Sequence, residues 1–196
     1  SGDESVIEFS YNAIKDYLLL WNVEENGILS KREGFWYWFD HLDYVDHKLL
    51  ETCWYYSALK FAVKIAGFLK VDEDLKEFKN RCCKIEKSFN DLYMKEDGYR
   101  SGDVCDDRAN AMCILSGLSD TIMQGEILKI LENNYFASPY MEYYILEAIF
   151  TLGSAKQGMK RMIDRYKNLI ENENSTLWED FEKLGTRNHA WSGGPL

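Results

Sequence analysis

The sequence predicts an all-α fold of antiparallel helical hairpins, and three observations carry that prediction. Apolar residues recur at steps of three and four over long stretches, most cleanly at Leu75, Phe78, Cys82, Ile85, Phe89 and Leu92, the spacing of one helix face. Only two prolines occur, Pro139 and Pro195, so few positions interrupt a helix. No segment alternates apolar and polar residues at the period of two that a half-buried strand requires.

Taken in order, the elements are these. Val6, Phe9, Ala13, Tyr17 and Leu20 mark a first amphipathic helix. Leu50, Trp54, Ala58, Phe61 and Ile65 mark a second that ends near Gly67. Asp72 is placed to cap the third, the helix of the unbroken stripe. A short helix runs from about Asp106 to Leu115 and stops at Gly117, a C-cap glycine. Another follows Asp120 from Thr121 to Leu131. Ser138-Pro139 pairs an N-cap with proline at the first helical position, opening a helix that ends before Gly153. The last spans Ala155 to Ile170. Short connections make neighbouring helices antiparallel hairpins. Pattern alone leaves open a bundle, a solenoid or an arc of an α/α toroid.

The 196 residues suffice for one domain with a substantial core. A hydrophobic fraction of 46% with 15% aromatics excludes a disordered chain. The net charge of −10 argues against a nucleic-acid partner, because phosphate binding relies on Lys and Arg. No apolar run approaches the ~20 residues that span a bilayer, so no membrane partner is expected. The five cysteines, Cys53, Cys82, Cys83, Cys105 and Cys113, are odd in number and lack C-x-x-C spacing. They read as free thiols acting as small hydrophobes rather than a zinc site. Neither a metal nor a cofactor is expected. An acidic, aromatic-rich chain suits neutral polar ligands such as sugars.

Four segments could carry chemistry. Gly34-Phe35-Trp36-Tyr37-Trp38-Phe39-Asp40-His41-Leu42-Asp43 sets consecutive aromatics before an acid. They cannot all face one core; they either line a groove, where Trp and Tyr stack on sugar C–H faces, or pack over helix ends. Asp103, Asp106, Asp107 and Arg108 precede a helix, where acids serve as caps and complement the dipole. In Ser138-Pro139-Tyr140-Met141-Glu142-Tyr143-Tyr144, Glu142 either suits the first helical turn or faces a ligand among three tyrosines. The tail, Thr176-Leu177-Trp178-Glu179 with Asn188-His189-Ala190-Trp191-Ser192-Gly193-Gly194, mixes acids, indoles, imidazole and glycines without a period. Such segments are loops over a pocket or ordered surface loops capping the core.

These motifs, in this order over residues 35–196 and together with Cys53-Trp54-Tyr55-Tyr56-Ser57-Ala58-Leu59, resemble the α-L-rhamnosidases of glycoside hydrolase family 78. The resemblance implies antiparallel hairpins forming an arc, about half to two-thirds, of an (α/α)6 toroid. Residues 1–196 are then expected to be a single domain, a truncated part of that catalytic domain. It implies an inverting hydrolase of terminal α-L-rhamnosides, needing two carboxyl groups about 6.5–9.5 Å apart to admit a water. Glu179 takes the place of the general base, with Trp178 expected to desolvate it and raise its pKa. His189 would bind sugar hydroxyls, and Trp36, Trp38, Asp40, Asp107, Arg108, Tyr140, Glu142 and Trp191 would complete the substrate pocket. The resemblance departs at His41, where a tryptophan is expected, and nothing before Trp36 resembles the family's general-acid motif. The isolated chain is therefore expected to be inactive and to self-associate through an open toroid edge. A non-catalytic carbohydrate-binding module and an (α/α)6 hydrolase for another sugar remain the alternatives.

Overall fold

A computed structural model describes residues 4–30, 39–170, 176–182 and 185–194. Among them the helices are α1 (Glu4–Leu19), α2 (His47–Leu69), α3 (Asp72–Tyr93), α4 (Asp107–Ser116), α5 (Gln124–Asn133), α6 (Pro139–Thr151) and α7 (Ala155–Ile170). Single 3-10 turns occur at Thr121–Met123 and Ala190–Gly193. The helices pair as α2–α3, α4–α5 and α6–α7, and α2, α4 and α6 pack side by side in that order. Three hairpins thus form an arc with α2, α4 and α6 on the inside and α3, α5 and α7 outside.

The division follows from composition. Inner helices are covered on more than one side: in α4 every residue except Leu115 is buried. Outer helices bury one stripe, as Phe78, Cys82, Ile85 and Phe89 do in α3, and give Lys and Glu to water.

The capping signals hold. Asp106 accepts from the Arg108 amide and Asp120 from the Ile122 amide, while Gly117 ends α4 at φ 80°. Ser138 stands at the N-cap position of α6, but its buried Oγ makes no hydrogen bond. At α3 the expectation is off by one residue: Val71 occupies the cap position, and Asp72, Glu73 and Asp74 fill the first turn, where they complement the helix dipole.

Two expectations need correction. The α1 stripe Val6, Phe9, Tyr17 and Leu20 faces outward, with Phe9 90% exposed, and the core receives Tyr11 and Leu18 instead. Tyr11 donates to Asp74 Oδ2 (2.8 Å) and Tyr55 to the Leu18 carbonyl (3.2 Å), which fixes α1 by that other side. There is also a minimal hairpin, β1 (Met94–Lys95) paired antiparallel with β2 (Gly98–Tyr99). Two residues per strand are too few to show alternation in a sequence.

All five cysteines are thiols. Cys53 of α2 and Cys113 of α4 touch in the core with Sγ atoms 3.9 Å apart, Cys82 is also buried, and Cys83 is exposed. No described helix is long and apolar enough to cross a membrane.

Candidate active site

The N-termini of α2, α4 and α6 lie at one end of the arc and are laced together by carboxylates. Asp46 caps α2 by accepting from the Leu49 amide, and also accepts from the Ser101 amide (2.7 Å), so the segment before α4 is tied to the start of α2. The Asp46 amide in turn donates to Asp106 Oδ2 (2.8 Å). Arg108 spans the gap: Nε donates to Asp106 (2.8 Å), Nη1 to Asp40 Oδ2 (3.2 Å) and Nη2 to the Asp43 carbonyl (3.0 Å). Asp40 Oδ2 also accepts from the Ser138 amide at the start of α6 (2.9 Å). One aspartate therefore pins the aromatic loop to two inner helices.

A second charged group lies deeper. Arg161 of α7 donates to both oxygens of Glu142 (2.5 and 2.9 Å) and to Asp107 Oδ2 (3.0 Å). Its Nη1 also serves the Leu131 and Asn134 carbonyls, which closes the C-terminus of α5. Arg165 adds a further cation 3.6 Å from Glu142 Oε2. The side chains of Asp40, Asp107, Arg108 and Glu142 have no solvent-accessible surface. These four hold one another, directly or through Arg161, and through that the loops.

Burial pushes the Asp107 carboxyl up to about 6; Arg161 opposes the rise, and the neighbouring Asp106 and Glu142 add to it. Its folded-state value lies above the ordinary 3.8, so between pH 4 and 6 the folded chain holds this proton more firmly than the unfolded chain. The stability this carboxyl contributes should fall as pH rises through that window. Thermal midpoints of Asp107→Asn and the parent, measured from pH 4 to 7, should separate progressively in favour of the variant. A constant gap would refute the assignment.

The tail folds back on itself. The Glu179 amide donates to the Thr186 carbonyl (2.9 Å) and the Asn188 amide to the Leu177 carbonyl (3.0 Å), with Trp178 and Arg187 in an antiparallel bridge. Gly185 makes the turn possible: its φ is 76°, and a Cβ there would lie 2.7 Å from Glu179 Oε2. The Glu179 carboxylate accepts at Oε2 from both the amide and the hydroxyl of Thr186 (3.1 Å each), and His189 Nε2 lies 3.7 Å from the same oxygen. Thr186 Oγ1 also hydrogen-bonds His189 Nε2. The His189 ring packs on Trp191 (4.5 Å), Arg187 covers Trp178 (4.3 Å), and Ser192 Oγ donates to the Trp178 carbonyl (2.9 Å).

The expected rise in the Glu179 pKa is overturned. The Thr186 amide holds this carboxyl below its ordinary value, ahead of the Thr186 hydroxyl, His189 and His41, and burial is too slight to reverse them. His41 Nδ1 lies 3.5 Å from Asp40 Oδ1. Trp36 and Trp38 lie outside the described residues. Tyr140 is half-buried in a ring cluster with Tyr144, which meets Trp54 of α2 edge-on (5.1 Å). Trp191 is 48% exposed. Sequence reasoning missed Thr186, the principal partner of Glu179, and the arginines of α7. Only the Gly185-Thr186 pair, a turn residue beside a hydroxyl, signals the former. Among the described residues no group of three or more His, Cys, Asp or Glu is placed to hold a metal.

Antiparallel hairpins with α2, α4 and α6 inside and α3, α5 and α7 outside define a domain of the helical-toroid class. The chain belongs to the bacterial alpha-L-rhamnosidase 6 hairpin glycosidase domain family, whose profile matches residues 1–196. Among solved structures it is similar to the family 78 rhamnosidase of Bacillus sp. GL1, with TM-score 0.84 and 18% identity over 100% of this chain and 24% of that one. The alpha-L-rhamnosidase of Dictyoglumus thermophilum gives 0.79 and 23%, covering 98% of this chain and 24% of its own. The rhamnosidase from Klebsiella oxytoca, solved with rhamnose bound, gives 0.78 and 14%, covering 98% and 41%. At these identities the likeness is one of fold, and the chain spans a quarter to two-fifths of their lengths. No curated protein matches the sequence.

Proposed function

We propose that this chain carries the general-base half of the site of an inverting hydrolase acting on terminal α-L-rhamnosides. The observation that supports it most is the Glu179 carboxylate, which accepts two hydrogen bonds from Thr186 and stands beside His189. The Thr186 bonds and the His189 contact all fall on Oε2. Oε1 is then the oxygen that takes the proton from a water attacking the anomeric carbon. Trp178 and Trp191 offer rings for the sugar's C–H faces, and His189 binds its hydroxyls. Asp40, Asp107, Arg108 and Glu142 act from beneath by fixing the loops. Residues 1–196 form one unit of a larger toroidal domain.

The general acid comes from elsewhere in the full-length protein. An aryl α-L-rhamnoside should be hydrolysed by that protein and slower by at least ~10²–10⁴-fold by residues 1–196 alone. Comparable turnover by the isolated chain would sink the half-site reading, and no rhamnoside turnover by the full-length protein would point to another sugar. A second reading, a carbohydrate-binding module without chemistry, gains from the lowered pKa of Glu179, which suits a hydroxyl acceptor better than a strong base. It predicts rhamnose binding without turnover in both.

Isolated residues 1–196 should also self-associate. Val6, Phe9 and Tyr17 on α1 with Leu20 just beyond it, and Met159, Ile163 and Ile170 on α7, are exposed at opposite flanks of the arc. Light scattering should show an average mass that climbs with concentration. A constant monomer mass would overturn this expectation.

A further inference from the structure

The base-carrying tail contacts the helical scaffold at one point that the reaction itself does not use. Phe181, two residues beyond Glu179, lies against α7, with the Arg165 guanidinium 3.8 Å over its ring and the Tyr166 ring edge-on at 5.1 Å. Resting on the base assignment above, we infer that Arg165, Tyr166 and Phe181 are positioning residues that fix where the Glu179 carboxylate stands.

Both halves of this clamp are bonded to other elements. Tyr166 is 1% exposed, and its hydroxyl donates to the Pro139 carbonyl (3.1 Å), which locks the ring to the start of α6. Arg165 donates to the Tyr135 carbonyl (3.3 Å) and to the Ala137 carbonyl, and its Nε faces Glu142 Oε2 at 3.6 Å. The carbonyls it binds belong to the segment leading into α6, whose Ser138 amide in turn holds Asp40. The clamp and the aromatic loop are thus referenced to the same few residues. A guanidinium stacked on a ring holds best where water is largely excluded, and the Arg165 side chain is 11% exposed.

The geometry of the chain makes the clamp consequential. Two residues span at most about 7 Å, so a fixed Phe181 confines Glu179. The far end of the tail, the 3-10 turn Ala190–Gly193, packs on α6, and Ser192 of that turn holds the Trp178 carbonyl. Released from α7, the turn that carries Glu179 would shift relative to that packed end. A displacement of about 1 Å in a catalytic group can cost roughly 10²-fold in rate.

The test uses the full-length protein and an aryl α-L-rhamnoside. Phe181→Ala should lower kcat by about 10- to 100-fold while KM stays within about threefold, and Phe181→Tyr should restore kcat to within about threefold. Arg165→Lys keeps the charge facing Glu142 but loses the planar stack, and should lower kcat about 5- to 10-fold. Rates are taken per folded molecule, with the folded fraction from circular dichroism. A role confined to stability would lower the thermal midpoint and leave kcat unmoved, which would overturn the inference. If Phe181→Ala does not fold, Arg165→Lys decides by the same criterion. Glu179→Gln is run in parallel. If it retains kcat, the base assignment falls and the inference with it. If it is inactive while both clamp variants turn over normally, the clamp alone is refuted.

Discussion

Glu179→Gln in the full-length protein should reduce kcat on an aryl α-L-rhamnoside by at least ~10²–10⁴-fold, the usual loss when a general base is removed. The amide keeps the shape of the side chain and retains an oxygen for the Thr186 donors, so the turn that Gly185 permits stays closed. What it loses is the ability to take a proton from water. Rhamnose affinity, measured by calorimetry, should therefore change far less than kcat. Because Thr186 and His189 hold the carboxylate below the usual glutamate range, the acid limb of the parent's rate profile should sit below pH 4.5. Retained turnover, or an acid limb above that value, would remove Glu179 from the role.

Glu142→Ala should be the most destabilising single change among the buried charges. It leaves Arg161 without the carboxylate that takes two of its hydrogen bonds and Arg165 without its acidic neighbour. Breaking a buried pair by removing one partner costs about 3–5 kcal/mol, since the remaining charge stays desolvated. For a domain of this size that is a fall in thermal midpoint of about 6–20 °C. Glu142→Gln, which keeps acceptors for part of the network, should lose less. A shift under about 3 °C for the alanine variant would mean that Asp107 alone satisfies both arginines.

The elements themselves were legible because their signals are local. Asp106, Asp120, Gly117 and the Ser138-Pro139 pair sit within a few residues of the helix ends they set. The stripe of α3 is legible for the same reason. The buried side of α1 was not: both of its faces carry apolar residues, and the choice between them is made by Asp74 and Tyr55 on other helices. The site shows the same divide. Glu179 and His189 stand out as an acid and an imidazole in an aperiodic tail. Arg161 and Arg165 do not, because a basic residue in an amphipathic helix reads as solvated until Glu142, 19 residues or more away, is brought beneath it. The direction of the Glu179 shift was equally hidden. Trp178 adjoins it in sequence, but Thr186 reaches it only through the turn at Gly185.

The division into inner and outer helices also bears on how such a chain can diverge. Substitutions at the exposed charged positions of α3, α5 and α7 meet mostly water, so drift there is nearly neutral. In α4, where nine of ten residues are buried, almost any replacement must be compensated by a neighbour. A backbone held by so small a set of constrained positions can keep its path while most of its surface is rewritten.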